Sequence, residues 1–259
     1  DAEGAFSPDG RRIVFCSLRA AYPTNRLSAA ELKRLETDPA WFGDLYVMDA
    51  DGGNVRRLTD APGFDGGPFF SADGSRIIWR RFAEDGTTAD LHTMRPDGSD
   101  VRRLTAFGAM SWAPYFHPSG DYAIFTANKL GFGNFELYLV DTQGQREPVR
   151  VTFTDGFDGL PVFAPNGRQL CWTSARTPDG KSQLFLADWN DAAARRALAM
   201  APARAPEKAA GTPAAETPKA AVGSPDIRQE DLRAQVGLLA SKALEGRAAG
   251  SEGSRRAAE

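Results

Sequence analysis

The stretch Phe70–Trp79, F-S-A-D-G-S-R-I-I-W, and its continuation Asp90–Thr105, D-L-H-T-M-R-P-D-G-S-D-V-R-R-L-T, decide the fold, because their pattern returns before and after them. The turn glycine recurs as Gly10, Gly74, Gly120 and Gly167. An apolar strand recurs as Leu45–Met48, Leu91–Met94, Leu137–Val140 and Leu184–Ala187. Apart from an insertion in the first copy, the period is 46 to 47 residues. A period of that length, with several short strands per copy and Asp/Gly-rich turns between them, is the signature of a β-propeller blade. The expected fold is therefore all-β, a partial propeller of four four-stranded blades.

Each copy divides into four strands. An inner strand ends at Phe6, Phe70, Phe116 or Phe163. A tight turn follows, such as Pro8-Asp9-Gly10 or Ala72-Asp73-Gly74, in which glycine accepts the positive φ that closes it. The second strand places Phe15, Trp79, Phe125 and Trp172 in one column, and buried rings of that size suit the packing of one blade on the next. The third strand is apolar on both faces, as a strand sandwiched between blades must be. The fourth carries Leu58-Thr59, Leu104-Thr105, Val151-Thr152 and, more weakly, Leu198-Ala199. Pro68, Pro114 and Pro161 recur two residues before the inner-strand aromatic. Proline is confined to strand edges, so the inner strand should be the free edge lining a central channel.

The totals exclude more than they assign. With 42% hydrophobic and 25% charged residues the composition is that of an ordinary globular protein. A net charge of −3 argues against nucleic acid or an anionic membrane surface as the main partner. No apolar run is long enough to span a membrane. The pairs Arg56-Arg57 and Arg102-Arg103 read as solvated outer strands, and Cys16 and Cys171 as small buried hydrophobes.

The insertion runs from about residue 19 to 42. Ser28-Ala29-Ala30-Glu31 has capping-box spacing, with Leu27 and Leu32 placed as a staple, and predicts a short helix ending before Asp38-Pro39. Lying on the face of the blade connections, it is either a lid over the channel mouth or a packed decoration. After Asp191 the chemistry turns to Ala, Pro, Lys, Glu and Thr, with no aromatic residue beyond Trp189. Such a segment buries too little apolar area to offset its ordering entropy. The expected organisation is a propeller over 1–198, a disordered Ala/Pro linker over 199–224 and a short helical segment within 225–259, where Ile227, Leu232, Val236 and Leu239 share a face.

The units F-S-P-D-G-R-R-I-V-F and D-L-Y-V-M-D-A-D-G-G-N-V-R-R-L-T resemble the repeats of TolB-type propellers. The resemblance covers roughly residues 1 to 190 and implies a ring of six or more blades, with some preceding Asp1. The closing stretch, D-L-R-A-Q-V-G-L-L-A-S-K-A-L-E-G-R-A-A-G-S-E-G-S-R-R-A-A-E, is similar to the start of the family-28 zinc aminopeptidases, with Gly250-Ser251-Glu252-Gly253 standing where that family has a G-T-x-G step. That resemblance implies a zinc-dependent peptidase domain as partner within the same polypeptide, its metal ligands and catalytic residues beyond Glu259, and a secreted or periplasmic setting.

Chemistry is sparse in the chain itself. Its two histidines, His92 and His117, fall at a third-strand packing position and at a turn position. There is no G-x-S-x-G elbow, no H-E-x-x-H and no phosphate loop, so no catalytic, metal or cofactor residue is expected here. One positional constellation stands out: Asp1, Asp65, Ser111 and Asp158 enter the channel-lining strand of successive copies. Three carboxylates at one ring position would make a negative funnel for a peptide's terminal amine or a cation, unless each simply caps its own turn. Two functions follow: a non-catalytic propeller that gates or binds peptide for a zinc aminopeptidase, or a TolB-like protein-binding scaffold of the cell envelope. The propeller of a serine peptidase is a weaker third.

Overall fold

The turn chemistry determines where the chain reverses. In the computed structural model, which describes residues 1–205, Ser7 Oγ donates to Asp9 Oδ1 at 2.6 Å while Gly10, at φ 68°, donates its amide to the Ser7 carbonyl. Ser71, Asp73 and Gly74 repeat the arrangement. Each turn joins two antiparallel strands, and the first blade is β1 (Ala2–Phe6), β2 (Arg12–Ser17), β3 (Asp44–Asp49) and β4 (Arg56–Arg57) in that spatial order. The second is β5 (Asp65–Phe70), β6 (Ile77–Phe82), β7 (Ala89–Met94) and β8 (Arg102–Arg103). The third is β9 (Ser111–Phe116), β10 (Tyr122–Ala127), β11 (Glu136–Asp141) and β12 (Val149–Arg150). The fourth keeps only β13 (Asp158–Phe163), β14 (Gln169–Ser174) and β15 (Gln183–Asp188). The meander order leaves β1, β5, β9 and β13 as inner edges, the position their prolines require.

The ring-bearing column is where the blades meet. Phe15, Trp79, Phe125 and Trp172 each face a third-strand ring across a registered pair: Tyr46, His92, Tyr138 and Phe185. Centroids lie 5.9, 5.4, 5.8 and 5.7 Å apart and interplanar angles are near 30° in all four, so one packing solution is repeated. Trp79 packs with Val14, Cys16 and Leu45 of the first blade, and Phe125 with Ile78, Leu91 and Leu104 of the second. Trp172 packs with Ile124, Leu137 and Leu139 of the third. Phe15 is covered instead by the insertion, whose Arg19 guanidinium lies 4.9 Å from its ring centroid and 5.1 Å from that of Tyr46.

A polar knot fastens each outer strand. Asp44, Asp90 and Glu136 open the third strands; Arg57, Arg103 and Arg150 reach back to them at 2.6, 2.6 and 2.5 Å. Thr59, Thr105 and Thr152 then accept the amides of Leu45, Leu91 and Leu137, each at 2.9 Å. Arg57 and Arg103 are thus tied to carboxylates, a correction to their reading as merely solvated. Arg56 reaches the Asp97 carbonyl of the next blade, and Arg102 reaches Gln143 of the next.

The insertion forms α1 (Ala29–Thr37) with the expected capping box, Ser28 accepting the Glu31 amide while Glu31 Oε2 accepts that of Ser28 at 2.7 Å. Beyond β15 the expectations need correcting. Leu198-Ala199 is not a fourth strand, and the linker does not begin at residue 199. Asp191–Met200 is a helix, α2, whose N-cap Asn190 accepts the Ala193 amide, and Ala194 and Leu198 are buried against the third blade. The chain then pairs Ala203 with Arg146. An Ala-rich run behind an Asn cap is a good helix former, and the apolar stripe of α2 supplies the burial the composition alone lacks. The rest of the expected linker and the segment 225–259 lie outside the described residues.

Candidate binding channel

All four inner strands break their ladder at the same place. Register shifts fall between Ala2 and Ala5, Gly66 and Phe69, and Gly159 and Val162, and in β9 opposite the Ile124/Thr126 step. The bulged residues are Glu3, Gly67, Ala113 and Leu160, with φ of 53°, 61°, 47° and 56°. Three are not glycine, and each costs on the order of 1–2 kcal/mol in the left-handed region. Strain of this kind, repeated on one ring, is characteristic of places where backbone is shaped for contact. The bulges turn β1, β5, β9 and β13 around a cavity of about 310 Å³.

Its lining is largely apolar: Phe69, Trp112, Pro114, Tyr115, Leu160 and Val162. Phe69 and Leu160 are exposed and Trp112 half-buried, and the Phe69 and Tyr115 rings meet at 5.4 Å. Two charges enter the cavity. Glu3 Oε1 accepts from Arg80 Nη2 at 2.5 Å, and Glu3 Oε2 accepts the Gly67 amide at 2.7 Å, so one carboxylate bridges the first two blades. The Arg80 guanidinium also lies 5.3 Å from the Phe64 centroid.

The four residues singled out in the sequence are placed elsewhere, and none lines this cavity. Asp1 is exposed and pairs with Arg19 at 2.8 Å. Asp65 is fully buried; its Oδ1 accepts from Trp79 Nε1 at 2.9 Å and Arg81 Nε at 2.8 Å, its Oδ2 from Arg81 Nη2 at 2.7 Å. Asp158 repeats this with Trp172 Nε1 at 3.3 Å and Arg176 at 2.8 Å. Ser111, fully buried in the same blade as Phe125, has an Oγ without a partner among the described residues. The expected negative funnel is not what the geometry shows at Asp65 and Asp158, which are engaged by indoles and guanidiniums inside the blades, while Asp1 stays exposed in a surface ion pair with Arg19. No residue of the insertion lines the cavity; Arg34 instead bonds the Glu84 carbonyl of the second blade at 3.2 Å.

His92 stacks on Trp79, and burial pushes its pKa down to about 3; His117 stacks on Tyr122 at 4.5 Å and meets the Gly167 carbonyl. Among the described residues no three His, Cys, Asp or Glu side chains come together as a metal site. Both cysteines are free, Cys16 buried and Cys171 half-buried. Sequence reading missed Glu3, Arg80, Trp112 and Tyr115. Their one signal is that they sit at inner- and second-strand positions where the copies differ from one another.

No protein-family model matches the chain. It is 28% identical over 97 residues to the Protein TolB homolog of Chlorobium luteolum, covering 29% of this chain and 22% of that one. Among solved structures it superposes on TolB from Acinetobacter baumannii with a TM-score of 0.55 and 19% identity, over 78% of this chain and 42% of the other. These likenesses establish a TolB-like β-propeller fold. The chain spans well under half the length of either relative.

Proposed function

We propose that this propeller is a non-catalytic module that binds a peptide or protein segment in its central channel. The observation that carries the reading is the cavity itself: strained backbone on four successive inner strands surrounds a concave, aromatic- and proline-lined surface with only one ion pair in it. Concave, mostly apolar sites with few placed polar groups are where ligands bind, and aromatic anchors dominate such contacts. The TolB likeness agrees with a protein-binding role in a periplasmic or secreted setting. Panning a displayed peptide library against the chain tests it. Binders should lose at least tenfold in affinity to the Trp112→Ala and Tyr115→Ala variants, checked as folded by circular dichroism. Binders indifferent to both changes would remove the channel as the site.

A second, finer reading adds a zinc aminopeptidase to which the propeller delivers or restricts substrate. It rests on the L-E-G-R and G-S-E-G steps at 244–253. Sequencing the reading frame past the codon for Glu259 tests it: spaced His, Asp and Glu residues in an α/β pattern support a peptidase, and further repeats sink it.

A further inference from the structure

Among the described residues the half-buried arginines Arg76, Arg81 and Arg150 each donate at least two hydrogen bonds, whereas the more deeply buried Arg80 does not. Arg81 grips Asp65 through Nε and Nη2, and Arg76 uses all three nitrogens on Thr93 Oγ1, Asp100 Oδ2 and the Asp100 carbonyl. Arg150 bonds Glu136 and the Thr152 carbonyl. Arg80 is more than nine-tenths buried, yet among the described residues it donates a single hydrogen bond, to Glu3. Its Nε is buried without a partner. A guanidinium carries five N–H donors in a planar fork suited to a carboxylate, and an unpaired buried donor is costly. Glu3 reaches only Nη2, its other oxygen turns to the Gly67 amide, and Nε is left over. Arg80 is also the one cation lining the channel cavity.

From this we infer that the channel selects ligands carrying a carboxylate, a peptide C-terminus or an acidic side chain, which docks on Arg80 and shares or displaces Glu3 while the neighbouring residues of the ligand lie on Trp112, Tyr115 and Phe69. The inference rests on the channel being the binding site and adds the chemistry of what enters it. It reverses the charge preference expected from the sequence. Asp65 and Asp158 are sealed inside the blades and Asp1 is held by Arg19 outside the cavity, whereas the one underused charge among the residues lining it is positive.

The probe is N-acetylated Pro-Phe-Pro-Ala as its free acid and as its C-terminal amide, titrated calorimetrically into the 259-residue chain. A hydrogen-bonded ion pair gives the acid an advantage of about tenfold to a hundredfold over the amide. Arg80→Met should bring that ratio to about one, and Arg80→Lys, which keeps charge but not the fork, to an intermediate value. Glu3→Gln removes the competitor and should raise affinity for the acid alone. Because Glu3 is partly exposed, this variant keeps the test open if Arg80→Met does not fold. Acid and amide binding equally, with both lost in Trp112→Ala, would overturn the carboxylate inference and leave the channel standing. Binding of neither peptide, or binding unaffected by Trp112→Ala, would overturn both.

Discussion

Asp65→Ser separates a structural carboxylate from a binding one. Asp65 is fully buried and accepts three hydrogen bonds, one from the equally buried Trp79 indole and two from Arg81. Removing the acid strands the indole donor, at about 1–3 kcal/mol, and leaves Arg81 without its counter-ion. Arg81 is 24% exposed and recovers part of its solvation. Broken buried pairs cost about 3–5 kcal/mol, and that is the expected loss. For a propeller of this size each kcal/mol is worth about 2–4 °C, so Tm should fall by about 6–20 °C. Urea unfolding monitored by tryptophan fluorescence should show a lower midpoint with an unchanged m-value, and peptide affinity in the channel should be retained after allowing for the unfolded fraction.

The third blade supplies the control. There Ser111 stands in place of the acid and the ring is Phe125, so no indole seeks an acceptor. Ser111→Ala should be neutral to within about 0.5 kcal/mol, because it deletes a hydroxyl that has no partner among the described residues. Transplanting the third blade's solution, Asp65→Ser with Trp79→Phe, should be milder than the sum of the single changes by about 1–3 kcal/mol, the coupling expected of residues in one network. An additive cycle, or Asp65→Ser costing under about 1 kcal/mol while abolishing peptide binding, would refute the assignment.

Three further outcomes follow from burial and charge. Asp44 is raised to about 6, chiefly by burial and against the pull of Arg57, so the native state holds a proton that the unfolded chain, near 3.8, releases. Stability should therefore rise as pH falls from about 6 towards 4, by up to about 3 kcal/mol from this group. Asp44→Asn should flatten that segment of the urea midpoint against pH, and an unchanged slope would count against it. Burial pushes the Cys16 thiol up to about 12, so iodoacetamide at pH 8 should label Cys171 well before Cys16 in the native protein and both in urea, as read by peptide mass spectrometry. Leu184 and Leu186 of β15 are 70% and 64% exposed, whereas Leu45, Leu91 and Leu137, which hold the position of Leu184 in the other blades, are covered by the next blade. A second copy of the chain should associate through this strand at high concentration, and Leu184→Lys with Leu186→Lys should shift sedimentation toward monomer; a wild-type chain that is already monomeric at 100 µM, on the order of the concentrations where such edges pair, would contradict it.

The repeat made the blades legible because period, turn glycine and aromatic column all report the same backbone geometry. The Ser28 capping box was equally plain, since its two hydrogen bonds are local. The polar knots were half visible. L-T is a recurring mark, but the acid that its threonine meets lies 15 or 16 residues earlier, at Asp44, Asp90 and Glu136, and only the antiparallel register shows why Arg and Thr recur together. The same register explains the fourth blade. Gln183 stands where the acid would be and no R-L-T or R-V-T follows, so a fourth strand had nothing to fasten it and the chain ran on into α2. The funnel of Asp65 and Asp158 failed for a related reason. Each of these acids shares its copy with a tryptophan, whereas Ser111 shares its copy with a phenylalanine. That correlation marks an indole acceptor rather than a ligand site.

What the knots do locally determines what the channel can do. Every acid that the repeat places at a strand entrance in the second to fourth blades is held by an indole or a guanidinium, so the repeating part of the sequence contributes stability and almost no free charge. Selectivity must then come from positions where the copies diverge, and the inner strands diverge at the bulge: Glu3, Gly67, Ala113 and Leu160, followed two residues on by Ala5, Phe69, Tyr115 and Val162. The glycine at 67 leaves room for Arg80, since a Cβ there would meet its Nη1 and the guanidinium would have to move. Gly67→Ala should therefore displace the guanidinium as well as strain the bulge. The same substitution at Gly10, open on all sides, strains only its turn. If both variants lose similar stability but only Gly67→Ala loses the preference for acid over amide, the bulge and the cation act as one element of the site.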